Sequence, residues 1–348
     1  MRAAIFREFK QPITIENLPD PSPTDNGVVL QVEATGICRS DWHGWMGHDP
    51  DIELPHVPGH ELAGTIVELG NDIKHWNIGD RVTLPFVCGC GHCEPCESGN
   101  AQVCDHQFQP GFTNWGSFAE YVAIDYAELN LVRLPETMSF DQAASLGCRF
   151  ITSFRGLVDQ GRLKADEFVS IYGCGGVGLS AVLIAKAIGA KVIAIDIDEA
   201  KLNLATKLGA DFTLNAQQNE NLIDEIHELT KGGSHVSMDA LGSQETAINS
   251  IKSLKKRGRH IQVGLMAGKE AEPSLPMDLV IARELEIIGS HGMQAQRYAA
   301  VFHLIESSKI DLNKLIEKRV ALEEGVDMLQ RMNDFPLSSG IAIINSFA

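Results

Sequence analysis

The chain is 348 residues long, length enough for about two domains of roughly 150 residues each. Its 29 Lys and Arg against 46 Asp and Glu give a net charge of −17, a field that repels phosphate backbones and anionic lipid and so excludes a general nucleic-acid or membrane-surface binder. With 44% hydrophobic and 22% charged residues the composition is that of a globular protein with a large core, which excludes wholesale disorder.

At the start, Met1-Arg2-Ala3-Ala4-Ile5-Phe6-Arg7-Glu8 brings in charge before any apolar run could serve as a secretory signal, so a soluble cytoplasmic protein is expected. Up to about residue 130, short apolar runs broken by Pro and Gly (Ala3–Phe6, Val28–Val32, Gly64–Leu69, Arg81–Phe86 and Phe118–Ile124) predict the strands of a β-rich domain. No helical period competes with them before Asp141–Leu146.

From Phe168 the pattern changes. Runs at Phe168–Tyr172, Lys191–Ile195, Asp211–Leu214, His235–Asp239, Arg259–Val263 and Leu285–Ile288 alternate with helical periods at Val177–Ile188, Glu199–Leu208, Asn221–Leu229 and Gln244–Lys256. That alternation predicts a doubly wound parallel sheet, an α/β fold. The uncharged stretch Phe168–Ala185 is formally long enough to span a bilayer, but its glycines divide it into a strand, a turn and a helix. The single basic run, Lys255-Lys256-Arg257-Gly258-Arg259, is expected to cap a helix C-terminus, where cations are favoured. The tail predicts helices at Tyr298–Ser307 and Leu322–Met332 and a strand at Ser339–Ile344. It is expected to rejoin the first domain, giving one domain of residues 1–150 and 292–348 and another of residues 151–291.

Three motifs carry chemistry. Gly173-Cys174-Gly175-Gly176-Val177-Gly178 fits G-x-G-x-x-G between a predicted strand and a predicted helix, and Asp196 ends the next strand. Glycines there allow a tight turn and close approach to a pyrophosphate, and the helix N-terminus favours its charge. Asp196 can accept from both ribose hydroxyls and would repel a 2′-phosphate, which predicts NAD over NADP. Cys174 reads as packing. Second, Cys90, Cys93, Cys96 and Cys104 offer four thiolates from one loop, enough to close a tetrahedral, structural zinc shell. Cys88 is spare, since a fifth thiolate has no place in such a shell; it reads as a free thiol, and His92 as an exposed side chain. Third, Cys38-Arg39-Ser40-Asp41-Trp42-His43 and Pro58-Gly59-His60-Glu61 together provide a thiolate, an imidazole and a carboxylate, a set that suggests zinc with an open position.

These blocks, in this order, resemble the zinc-containing alcohol dehydrogenases of the medium-chain dehydrogenase/reductase superfamily. The match lies in Gly59-His60-Glu61-x2-Gly64-x5-Gly70, in Cys38-Arg39-Ser40-Asp41-x-His43, in the four-cysteine loop and in the glycine turn. The resemblance implies a β-rich GroES-like catalytic domain joined to a Rossmann cofactor domain, two zinc ions per subunit and NAD. It makes Cys38, His60 and Cys148 the catalytic zinc ligands, with Glu61 beside them as a neighbour or alternate ligand and Asp41 orienting His60. Ser40 and His43 become a proton relay, Arg39 reaches the cofactor pyrophosphate, Thr152 packs beside the nicotinamide and Lys201 lies near the adenosine ribose. Phe86, Trp45 and Trp115 become candidate substrate-pocket residues. One departure is the lack of an arginine in Ser338-Ser339-Gly340-Ile341-Ala342. The implied activity is NAD-linked interconversion of a primary or secondary alcohol with its aldehyde or ketone. The partner would be a small molecule, not nucleic acid or membrane, and the assembly a homodimer or homotetramer with Leu285–Ile288 as a contact edge. A relative acting on a polyol, threonine or a specialised aldehyde is the alternative, and a non-catalytic NAD(H) sensor a more distant one.

Overall fold

The structure is a computed structural model and describes residues 1–266, 268–333 and 340–347. The chain divides into two compact units, one formed by Met1–Ile151, Gly292–Phe302 and Leu312–Ala348, the other by Thr152–His291 and His303–Asp311.

The first unit is built on a mixed sheet of seven strands. In spatial order these are Ile316–Ala321, Ile341–Ser346, Val28–Gly36, Glu61–Leu69, Arg81–Thr83 and Val132–Arg133, with Tyr121–Ile124 also paired to Val28–Gly36. The central strand Val28–Gly36 is buried on every residue except Gln31 and Glu33. Arg2–Ile5 and Thr14–Asn17 form a separate antiparallel pair. Pro85 accounts for the early end of the strand predicted at Arg81–Phe86, because proline cannot donate to a ladder. The core gathers Ile5, Leu30, Ile37, Leu62, Ile66, Phe118 and Ile124, each 1% exposed or less. Burying one such side chain contributes about 1.5–3 kcal/mol.

The second unit carries six parallel strands in the order Phe212–Asn215, Lys191–Asp196, Phe168–Tyr172, Ser234–Asp239, Leu254–Gln262, Glu286–Gly289. Numbered along the chain this is 3-2-1-4-5-6, the dinucleotide-fold arrangement that reverses direction beside its first strand. The uncharged stretch at Phe168 divides as expected into the strand Phe168–Tyr172, a glycine turn and the helix Gly176–Ile188. Among the described residues no helix is long and apolar enough to cross a membrane.

One expectation fails. The helix predicted at Gln244–Lys256 ends at Lys252, and the basic run enters the strand Leu254–Gln262 instead of capping the helix. Leu254, fully buried, aligns with Ser234, and the chain then bulges so that Arg259 is the next residue in register, opposite Val236. Burial of one leucine thus outweighs the pull of a helix terminus on exposed cations. In the tail, the helix Tyr298–Ser307 has its predicted bounds, and the last strand runs over Ile341–Ser346. Ser338 and Ser339 lie outside the described residues.

Candidate functional site

The site in the first unit begins at a helix start. Cys38 precedes the helix Arg39–Trp45, and the Asp41 carboxylate closes its first turn by accepting the Cys38 N–H at 2.9 Å. Asp41 is 1% exposed. Its other oxygen accepts the Gly59 N–H at 3.1 Å and is 2.7 Å from His60 Nδ1, which donates to it. Gly59 holds φ +108, and a Cβ there would lie 2.5 Å from the Phe118 ring, so glycine is required for the chain to present its N–H.

His60 is fully buried. With its Nδ1–H given to Asp41, a neutral His60 presents Nε2 as an acceptor, and that nitrogen has no partner among the described residues. A buried, unpartnered acceptor is costly and calls for an explanation. The neighbours supply one: a ring nitrogen of His60, Cys38 Sγ, Cys148 Sγ and a Glu61 oxygen all lie within 4.8 Å of one another. Two thiols, an imidazole and a carboxylate at this spacing fit a zinc ion. Cys148 comes to the site from a helical turn that widens over Leu146–Phe150, an irregularity often found at functional sites.

The electrostatics suit a cation. A hydrogen bond from the Cys148 thiol holds the Cys38 pKa well below the ordinary thiol value, against burial and with help from His60. The same bond and burial push Cys148 up. Burial opposes charge on His60, yet the Asp41 carboxylate and Cys38 carry its pKa well above normal.

Glu61 does not face the cluster alone. Its oxygens accept from Arg149 Nε at 2.9 Å, from the Arg149 backbone N–H at 3.2 Å and from the Arg149 terminal nitrogen. Burial pushes the Glu61 carboxyl up to about 7 against the pull of that guanidinium. Sequence reading missed Arg149; its signal was a lone cation set against the buried Phe150 and Ile151.

Around this cluster, Ser40 Oγ lies 3.8 Å from Cys38 Sγ. His43, held below its usual pKa by burial and then by Arg39, pairs its Nδ1 with His48 Nδ1 at 2.9 Å. Arg39 lies over the Trp42 ring at 4.1 Å. Phe86 meets the His60 ring edge-on at 6.1 Å, and Phe112, which the sequence did not single out, lies closer at 4.9 Å. Trp45 is buried with its indole N–H on Gln11 O at 2.7 Å. Trp115 is 39% exposed and donates to Pro55 O at 2.9 Å; it lines a groove with Pro55, His56 and Tyr121.

The second cluster is the cysteine loop. The Sγ atoms of Cys90, Cys93, Cys96 and Cys104 all lie within 4.8 Å of one another. Burial pushes the Cys104 thiol up, and backbone N–H groups of Cys90 and His106, pointing at its Sγ at 3.3 and 3.2 Å, pull the other way. Four sulfurs so arranged fit a closed tetrahedral zinc shell. Cys88 lies outside it, fully buried, with its thiol on Pro85 O at 3.6 Å, and His92 stacks on His106 at 6.0 Å.

In the second unit, the glycine turn leads into the helix Gly176–Ile188, whose N-terminus has no side-chain cap. A Cβ on Gly178 would lie 1.8 Å from Gly173 O, whereas one on Gly175 would meet nothing within 4 Å. The first glycine is needed for the turn to close, and the second faces open space before uncapped N–H groups, a cradle suited to a pyrophosphate. Val177 O accepts the Ser153 hydroxyl at 2.7 Å. Asp196 accepts the Cys174 N–H on one oxygen and those of Ile197 and Asp198 on the other, at 2.6, 2.8 and 3.0 Å. Of roughly four acceptor positions on a carboxylate, one on the Cys174 side stays free for a ribose hydroxyl. Thr152 Oγ1 is buried without a partner among the described residues, Lys201 stands in the first turn of the helix Glu199–Lys207, and the Cys174 thiol is buried on Ile195 O.

Comparison with known proteins follows the same division. Residues 24–136 match the alcohol dehydrogenase GroES-like domain model, and residues 176–307 the zinc-binding dehydrogenase model. An alcohol dehydrogenase of Geobacillus stearothermophilus is 35% identical over 294 residues, 83% of this chain and 84% of that protein. A NAD-dependent alcohol dehydrogenase of Sulfurisphaera tokodaii is 30% identical over 345 residues, 96% of this chain and 97% of that protein. The solved structure of alcohol dehydrogenase TADH from Thermus sp. ATN1 superposes with a TM-score of 0.91 at 26% identity, covering 100% of both chains.

Proposed function

Since the chain belongs to the zinc-containing alcohol dehydrogenase family of medium-chain dehydrogenases, we propose that it interconverts a primary or secondary alcohol with its aldehyde or ketone, using NAD. The observation that carries the reading is the buried His60 Nε2, unpartnered beside two thiols and a carboxylate. A binding protein without chemistry has no need of such an atom. Residues 1–150 and 292–348 would form the catalytic domain and residues 151–291 the NAD domain.

Cys38, His60 and Cys148 would hold a catalytic zinc, with Glu61 as neighbour or alternate ligand, and Cys90, Cys93, Cys96 and Cys104 a structural one. Bound there, zinc would supply Lewis acidity that eases ionisation of a hydroxyl, and NAD would supply the hydride acceptor. The residues around it manage the rest. Asp41 fixes the His60 tautomer so that Nε2 presents its lone pair. Ser40, whose Oγ lies 3.8 Å from Cys38 Sγ, would take the alcohol proton and pass it on toward His43. Burial and then Arg39 hold the His43 pKa below its usual value, which favours the neutral ring that would receive that proton. Gly173, Gly175, Gly176, Val177 and Gly178 would cradle the pyrophosphate with help from Arg39. Asp196 and Lys201 would face the adenosine ribose and Thr152 the nicotinamide, and the negative charge of Asp196 favours NAD over NADP. Phe86 and Phe112, against His60, would narrow the pocket toward modest alcohols. A homodimer or homotetramer joined along the edge Leu285–Ile288 is part of this reading.

The test is NADH formation across primary, secondary, aromatic and polyhydroxy alcohols, before and after zinc chelation. Turnover of simple alcohols that chelation abolishes is expected. Turnover confined to polyols or threonine would move the assignment to those relatives. No turnover, with zinc bound and NADH held tightly, would make the protein a sensor.

A further inference from the structure

The basic run that left its helix lines a cavity of about 630 Å³ in the second unit. In a chain of net charge −17, six Lys and Arg face this space against three Glu. The carboxylates are already engaged: Glu167 with Arg259, Glu286 with Arg162 and Glu284 with Arg257. Lys164, Lys255 and Lys256 therefore remain as an uncompensated positive charge.

Hydrogen bonding sharpens the point. The Phe168 backbone N–H donates to His235 Nδ1 at 3.0 Å, so the proton of a neutral His235 must sit on Nε2. That Nε2 lies 3.2 Å from Lys255 Nζ. Two donors thus face each other, an arrangement that an oxygen accepting from both would stabilise. Burial, with Lys255 next, holds the His235 pKa below its usual value, in keeping with the neutral ring. Arg259 adds a third donor: one of its terminal nitrogens is on Glu167 at 2.7 and 2.8 Å, while its buried Nε has no partner among the described residues.

We propose that this cavity binds a small molecule carrying two or more phosphate groups. The guanidinium forks that favour planar carboxylates are taken by Glu167, Glu284 and Glu286, while the ammonium groups left over are point charges suited to phosphate. The volume is that of a small-ligand site. It is not the dinucleotide turn. His235, Lys255 and Glu286 lie where their parallel strands begin, whereas Gly173 follows the far end of Phe168–Tyr172, about 15 Å along the strand.

The test is calorimetric titration of the full-length protein with fructose 1,6-bisphosphate at constant ionic strength, with and without saturating NADH. Saturable binding that NADH does not displace is expected, at least tenfold weaker in the Lys255→Gln/Lys256→Gln variant, whose own NADH affinity stays unchanged. Equal affinity in the variant, displacement by NADH, or no saturable binding to the wild type would each overturn the proposal. Should the double variant fold poorly, the exposed Lys256→Gln alone must still weaken binding several-fold, and no weakening there counts equally against the site.

Discussion

Asp41 shows how much one side chain organises. Its carboxylate closes a helix turn at Cys38, receives the Gly59 N–H and fixes the His60 tautomer. Asp41→Asn keeps the shape but replaces one acceptor oxygen with a donor, so zinc affinity should fall about 10–100-fold, measured as zinc retained against a graded chelator. Arg149 has a different role. It lies against a fully buried Glu61 and is itself 8% exposed. Arg149→Met leaves that carboxylate without its cation and should cost about 3–5 kcal/mol in urea unfolding. Adding Glu61→Gln should recover a large part, which a simple packing defect at Arg149 would not allow. Glu61 was legible because it follows the zinc-motif histidine. Arg149 was not, because its partner lies 88 positions away and nothing local marks the pairing.

At the level of elements, the glycine turn separates two roles that the G-x-G-x-x-G pattern merges. Gly178→Ala pushes a Cβ to 1.8 Å from Gly173 O, so the turn must open. About 1–3 kcal/mol of stability should be lost, together with at least tenfold in NADH affinity by fluorescence titration. Gly175→Ala meets nothing within 4 Å and should weaken NADH while leaving the urea midpoint within error of wild type. If both variants lost stability alike, the cradle reading of Gly175 would fail. Helices such as the ten-residue Tyr298–Ser307 were readable because their apolar period runs over nearly three turns. The seven-residue helix Arg39–Trp45 was not, since two turns give no period and only its capping residues mark it. The basic run was misplaced for a related reason: local charge favoured a helix end, and the burial of Leu254 in the sheet overrode it.

Across the whole molecule, stability should depend on pH through buried histidines. His56 and His260, 2% and 1% exposed, are both held below their usual 6.5 by burial. The unfolded chain takes up protons near pH 6.5 while the folded chain resists, so this stability is present above 6.5 and lost as pH falls below it. Asp211, whose bonds to Lys186 and the Val192 N–H outweigh burial and hold it below its usual 3.8, contributes stability that is lost only at lower pH still. The urea midpoint of the zinc-loaded protein should therefore fall between pH 7.5 and 5.5, with a second decline below about pH 4. A flat profile across the first interval would show that these rings titrate in the fold as they do in the unfolded chain.

By itself, the sequence determined whatever is written in short motifs and their spacing. The four-cysteine loop, the glycine turn with Asp196, the alternation of strands and helices and the pairing of Cys38 with His60 all express their chemistry in spacing and residue type. The tertiary structure alone decided what depends on long-range burial. It left His60 Nε2 without a partner, brought Arg149 up to Glu61, set Phe112 against the imidazole and turned a run of lysines into the wall of a cavity. Those outcomes follow from desolvation and from hydrogen bonds that must be satisfied somewhere in the fold, and no local pattern records where.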